Sequence, residues 1–173
     1  MSNPSTFPLS RPVDVGRLPR GRAEVTVEAS PEECAALARE FGIPALRDLV
    51  GRFTLSGTLS RLIVTGTVEA VASQVCTVSL ETFDTRVSEP VEVVFSDAPQ
   101  PEEEAEDSPL EGAPEPPDAI VNGRIDLGGL TAEFLALGLD PYPRKPGMSF
   151  EPIASGPEKG PFEALRQLRD GEH

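Results

Sequence analysis

Tryptophan is absent, tyrosine and histidine occur once each, and cysteine occurs only twice in 173 residues. The one histidine is the last residue, His173, where nothing holds an imidazole against a nucleophile, so no Ser-His-Asp or Cys-His machinery can be assembled. Cys34 and Cys76 lie far apart, which suits neither a disulfide framework nor paired zinc ligands. A reducing compartment, the cytoplasm, is the expectation. No segment approaches the roughly 20 apolar residues of a membrane span, and the opening MSNPSTFPLSRPVDVG has no apolar run of signal-peptide length. Aromatics make up only 5%, so the core must come from Val, Leu, Ile and Ala, a mixture suited to a sheet carrying a few helices. Positive charge is scarce as well. Fifteen Lys and Arg face 29 Asp and Glu, a net charge of -14, and a uniformly acidic surface repels a phosphate backbone. Any contact with nucleic acid must use local basic patches or a protein intermediary. No catalytic residue, cofactor, metal ligand or small-molecule substrate is expected.

Proline and glycine are plentiful, 19 and 15 residues, and many stand outside any periodic stretch. Residues 1–21 read as a flexible basic arm, 22–169 as a single α+β domain, and 170–173 as a tail. Within the domain, 97–118 carries nine acids, six prolines and no base, a composition that favours a disordered insert. A solubilising linker and a holder for a basic protein both fit it.

The fold expected is α+β, with an antiparallel sheet of four to six strands, able to curl toward a barrel, and two or three helices. Ala23, Val25, Val27 and Ala29 alternate with polar residues as a half-buried strand does. Ser30 with Glu33 spells a capping box, Pro31 suits the first helical turn and Gly42 the stop. Cys34, Leu37, Ala38 and Phe41 form that helix's apolar stripe. Farther on, Phe53, Leu55 and Leu59 occupy odd positions, whereas from Leu62 the apolar series is even, through Val64, Val68, Ala70, Ala72, Cys76, Val78 and Leu80. Such a change of phase requires a turn or bulge near Ser60. Gln74 breaks the even series, so a second bend is expected at Ser73-Gln74. Val87, Val91, Val93 and Phe95 resume alternation, with Pro90 marking an edge or bulge. Ala119–Ile125 reads as a short strand and Asp126 as the cap of a helix over 127–139, enclosed on two sides, with Leu130, Phe134 and Leu137 along one face. A last helix is expected at Phe162–Leu168.

Several residues are candidate contacts. Arg11, Arg17, Arg20 and Arg22 make a basic arm, either a solvated tail or a set of planar forks for phosphate. Tyr142 beside Arg144 and Lys145 places an aromatic ring next to two cations, in a segment that equally suits a plain chain reversal. Gly128-Gly129 between a strand and a helix is compatible with a phosphate-binding turn, but GxGxxG and GxxxxGK[ST] are missing and close helix–sheet packing explains the pair. Cys76, on the apolar parity, reads as a buried structural thiol.

The strand VCTVSLE (75–81), a VEVVF strand, the acidic insert and IDLGGLTAEFLALGLDPYPRKPG together resemble the YceD family, the large ribosomal RNA subunit accumulation proteins, in a form like that of alphaproteobacteria. The resemblance runs from about Val50 to Phe162 and is most specific at Cys76, Leu80, Glu81, Asp126 and Leu127, which are read as structural. It implies a non-enzymatic accessory factor in synthesis, processing or stability of the large-subunit rRNA. The implied partner is the rRNA precursor or, alternatively, a basic ribosomal protein held before assembly. Many relatives carry a basic residue where this chain has Val78, and some carry cysteine pairs where it has DPYPRKPG, which removes the case for a zinc site.

Overall fold

The computed structural model describes residues 7–19, 21–98 and 117–148. In chain order these form β1 (Pro12–Asp14), a single 3-10 turn (Val15–Arg17), β2 (Arg22–Glu28), α1 (Pro31–Glu40), β3 (Ala45–Thr58), β4 (Arg61–Val75), β5 (Thr82–Ser96), β6 (Asp118–Ala119), β7 (Arg124–Asp126) and α2 (Leu127–Gly138). The main sheet runs β2-β3-β4-β5-β6, antiparallel except for the parallel β5–β6 pair, and β1 pairs with β7 in a separate ribbon. The sheet is open: β2 and β6 are its edges rather than partners, so the curl toward a barrel does not occur.

The meander β3–β4–β5 follows from the hydrophobic phases. Leu59-Ser60 is the turn of the β3–β4 hairpin, where the apolar series changes parity. Leu62, Val64, Val68, Ala70 and Ala72 then face the core together with Phe53, Leu55, Val87, Val91 and Phe95. A bulge between Arg47 and Val50, with Asp48 at φ 55°, turns both Leu46 and Leu49 inward. Pro90 sits in β5 opposite Thr67, on a strand whose other flank is paired, among the described residues, only at Phe95 and Ser96, so its missing N–H costs no ladder bond there.

Two expected features of this region differ. No bend occurs at Ser73-Gln74, because β4 continues to Val75. Gln74 is polar for another reason: its buried amide donates to the carbonyl of Asp140 at 2.9 Å. The expected strand at 75–81 is instead a tight turn, with Leu80 N–H donating to the Cys76 carbonyl and Leu80 at φ 59°.

Helix α1 starts as its sequence dictates. Glu33 N–H donates to Ser30 Oγ, and Ser30 N–H to Glu33 Oε2 at 2.8 Å, which completes the capping box. Its stripe of Cys34, Leu37 and Ala38 is buried, with Phe41 half-buried at the end. The strand expected over 119–125 is split by Asn122-Gly123, both at positive φ, into β6 and β7. Helix α2 buries Leu127 to Ala132 and Leu135, but Leu137 is 70% exposed, so the expected Leu130–Phe134–Leu137 face is covered only in its first part.

The largest correction concerns the N-terminal segment. Leu9 is fully buried and Val15 nearly so, and Phe7 packs its ring against Phe41. Leu127 N–H donates to the Arg11 carbonyl, and Val15 N–H to the Gly123 carbonyl. Residues 7–19 are therefore part of the body rather than a free arm, because Phe7, Leu9, Val13 and Val15 alternate with polar neighbours and reach the core beside α2. Arg20, most of the acidic insert (99–116) and the expected helix Phe162–Leu168 lie outside the described residues. Leu9→Ala should lower stability by about 2–4 kcal/mol in urea unfolding, the cost of emptying a buried leucine site, whereas a loss under roughly 0.5 kcal/mol would restore the free arm.

Candidate functional site

Two clusters bring together residues remote in sequence. The first is centred on Asp126, the N-cap of α2. Its Oδ1 accepts the Gly128 and Gly129 amides at 2.9 and 3.1 Å and the Arg11 amide at 2.6 Å, and its Oδ2 accepts Ser10 Oγ at 2.8 Å. The amides a phosphate would use at this helix N-terminus are therefore taken by the chain's own carboxylate. Gly128 is required by packing, since a Cβ there would lie 2.5 Å from the Arg11 nitrogen. The close approach is to the N-terminal segment rather than to the sheet. Leu127 beside it is fully buried.

Arg11 is committed to the same region. Its Nη1 and Nη2 each lie 2.8 Å from a carboxylate oxygen of Glu33, a two-pronged pair that joins the N-terminal segment to the capping box of α1. Arg11, through its hydrogen bonds, and the Ser30 amide hold the Glu33 carboxyl below its ordinary value. A depressed carboxyl stabilises fully above the ordinary glutamate range and loses that contribution as the pH falls through its folded value. Glu33→Gln should therefore lower stability at neutral pH and flatten the acid limb of the stability curve below about pH 4.5, measured by urea unfolding. An unchanged acid limb would remove Arg11 from this role.

The second cluster is a clasp between the β4–β5 turn and the loop after α2. Pro143 accepts the Thr77 amide at 2.9 Å through its carbonyl. The Lys145 amide donates to Cys76 Sγ at 3.4 Å, and Lys145 Nζ reaches Glu81 Oε2 at 2.9 Å. Asp140 contributes twice, its carbonyl accepting from Gln74 and its Oδ1 from the Tyr142 amide at 2.8 Å. Cys76, Glu81 and Lys145 thus meet, with Leu80, which closes the turn, 77% exposed and Tyr142 74% exposed on the facing loop. Arg144 has no ion-pair partner among the described residues.

Cys76 is fully covered yet not a plain apolar thiol. Donation from the Lys145 amide first, then from Ser79, pulls its pKa down to about 6, outweighing the cost of removing a thiolate from water. Cys34, by contrast, is pushed up from 9.0, chiefly by burial.

The remaining candidate cations stand elsewhere. Arg22 pairs with Ser56 in the β2–β3 ladder, and the segment around Arg17 lines a small cavity with Leu55–Leu59, at the β3–β4 hairpin. Cys76 follows the other end of the 15-residue β4, so the clasp and these arginines are separated by up to about 45 Å along the strand. Arg17 meets Asp14 at 3.3 Å and Arg22 meets Glu24 at 3.8 Å, both exposed pairs of the kind that contributes little and exchanges readily. Sequence reasoning missed that Gln74, Thr77 and Asp140 belong to the clasp. The interruption of an apolar series by Gln74 was the one signal pointing there. No group of three or more His, Cys, Asp or Glu among the described residues is placed to hold a metal, and none of their helices is long and apolar enough to cross a membrane.

Fold and clasp together define a small α+β protein in which a β-turn and a post-helix loop build one shared surface. The chain belongs to the family of the large ribosomal RNA subunit accumulation protein YceD, whose model matches residues 64–169 and so includes most of β4, all of β5 and α2, and both halves of the clasp. No curated protein and no solved structure matches the chain. The family's description assigns it to large-subunit rRNA accumulation, a part of ribosome biogenesis, and describes no enzymatic activity.

The two thiols should titrate separately by ultraviolet thiolate absorbance, with one step near pH 6 that disappears in Cys76→Ser and one above pH 9 from Cys34. A single step above pH 8 would mean that the clasp does not form in solution.

Proposed function

We propose that this chain is a non-catalytic cytoplasmic assembly factor that attaches directly to precursor large-subunit RNA through the clasp. Tyr142 stacks on an unpaired base and Arg144 takes an adjacent phosphate. Lys145 serves mainly as the loop's anchor, because its ammonium is held by Glu81. The observation that carries this reading is the exposed Tyr142 on a loop tied down on both sides, by Asp140 before it and by Pro143 and Lys145 after it. A loop whose backbone is fixed in advance presents the ring at little further cost in order, and RNA recognition depends on such platforms. Arg17, Arg20 and Arg22 provide a second, weaker contact with phosphate at the far end, while Arg11 is structural. The acidic remainder of the surface limits adherence to other RNA by repulsion.

A second reading has its own observation. Pairing of Phe95 with Asp118 and of Ser96 with Ala119 brings the two described flanks of the acidic stretch side by side, and the sequence between them, 99–116, carries seven acids and no base. That composition suits a basic ribosomal protein.

Cosedimentation with precursor particles separates the two. Tyr142→Ala should weaken association by about 1–3 kcal/mol, roughly 5- to 150-fold, and Arg144→Glu should add to the loss and reduce the salt dependence. Deletion of 99–116 should leave it intact. Full association by the Tyr142→Ala, Arg144→Glu double variant, with loss on deletion of the insert, would transfer the role to the acidic stretch.

A further inference from the structure

Seven large apolar side chains are exposed among the described residues, and five of them (Val75, Leu80, Leu137, Tyr142 and Met148) gather at the end made by the β4–β5 turn, the last turn of α2 and the following loop. Of these, Val75 lines a groove of about 530 Å³ whose walls also include Phe41, Ile43, Leu139 and Pro141. Apolar surface concentrated in this way marks a place that another chain segment covers. Single exposed leucines need no explanation, but a cluster around a groove does.

We infer that the groove is occupied by this chain's own C-terminal segment, residues 149–173, through Phe162, Leu165 and Leu168. Three observations favour it over a second copy or a separate partner. The described chain ends at Met148, itself half-exposed at this end and only five residues beyond Pro143, which lines the groove. The segment that follows carries Phe162, Leu165 and Leu168 at spacings of three, flanked by Glu163, Arg166, Gln167 and Arg169. The family match continues through this stretch to residue 169, so the segment belongs to the same inherited unit as the strands and helix that build the groove. A segment tethered at the rim meets the groove at an effective concentration on the order of millimolar, which a free partner must exceed.

This inference is independent of RNA binding and is tested on the full chain. Both native cysteines are buried, so a nitroxide attached to Gln167→Cys, beside the three apolar side chains, reports on the tail alone. The label should broaden the methyl resonances of Ile43, Val75 and Leu139 in the same molecule and leave Val27 and Val64, elsewhere in the core, unaffected. Adding Phe162→Ser and Leu168→Ser should abolish the broadening while the rest of the spectrum is preserved. Absence of broadening at the groove methyls would overturn the inference. So would broadening seen only when labelled chain is mixed with isotopically enriched, unlabelled chain, since the occupant would then be a second copy.

Discussion

The Lys145 amide directed at the sulfur of Cys76 is the contact on which the candidate surface depends. It joins a turn between two strands to a loop that follows a helix, and the surface exists only where those segments meet. The other bonds of the clasp reinforce one geometry: Thr77 to Pro143, Gln74 to Asp140 and Lys145 to Glu81. Hydrogen bonds onto a sulfur that carries negative charge are stronger than those onto a neutral thiol, so the depressed pKa of Cys76 and the fixed position of Tyr142 share one cause.

Beneath the clasp, the body is held by a comparable device at its opposite pole of α2. Asp126 satisfies the first amides of the helix and binds the N-terminal segment with the same carboxylate, while Arg11 extends that connection to the capping box of α1. A helix whose N-terminus is closed in this way cannot also receive a phosphate, and its role becomes positional: it carries the chain from the Asp126 hub to Asp140, where the clasp begins. Asp126, Arg11 and Glu33 are thus committed to the protein's own architecture. The uncommitted Arg144 and the loosely paired Arg17 and Arg22 stand at its ends.

Local chemistry made much of this legible. The capping box of α1, the Asp126 cap, the parity change at Ser60 and the place of Pro90 are each written in adjacent residues, and each occurs as read. The family resemblance, carried by Cys76, Leu80, Glu81, Asp126 and Leu127, agrees with the match over 64–169. Long-range closure was not legible. Cys76 lies on the parity of β4, yet nothing near it announces that the chain turns there to meet a loop sixty-odd residues on, so its strand was extended too far. The N-terminal segment misled for a related reason. Its prolines and arginines mask an alternation of Phe7, Leu9, Val13 and Val15 that acquires meaning only once β7 and α2 are present to receive it. The open edges of the sheet were equally hidden, because pairing of the first and last strands is a property of the whole topology.

What Tyr142 touches in the cell decides most directly whether the clasp meets RNA. A photo-crosslinking phenylalanine analogue placed at position 142 of the full chain and irradiated in growing cells should yield adducts with precursor large-subunit RNA, confined to one region of it. Adducts with proteins alone, or RNA adducts scattered without preference, would contradict the claim that the clasp presents this side chain to the RNA.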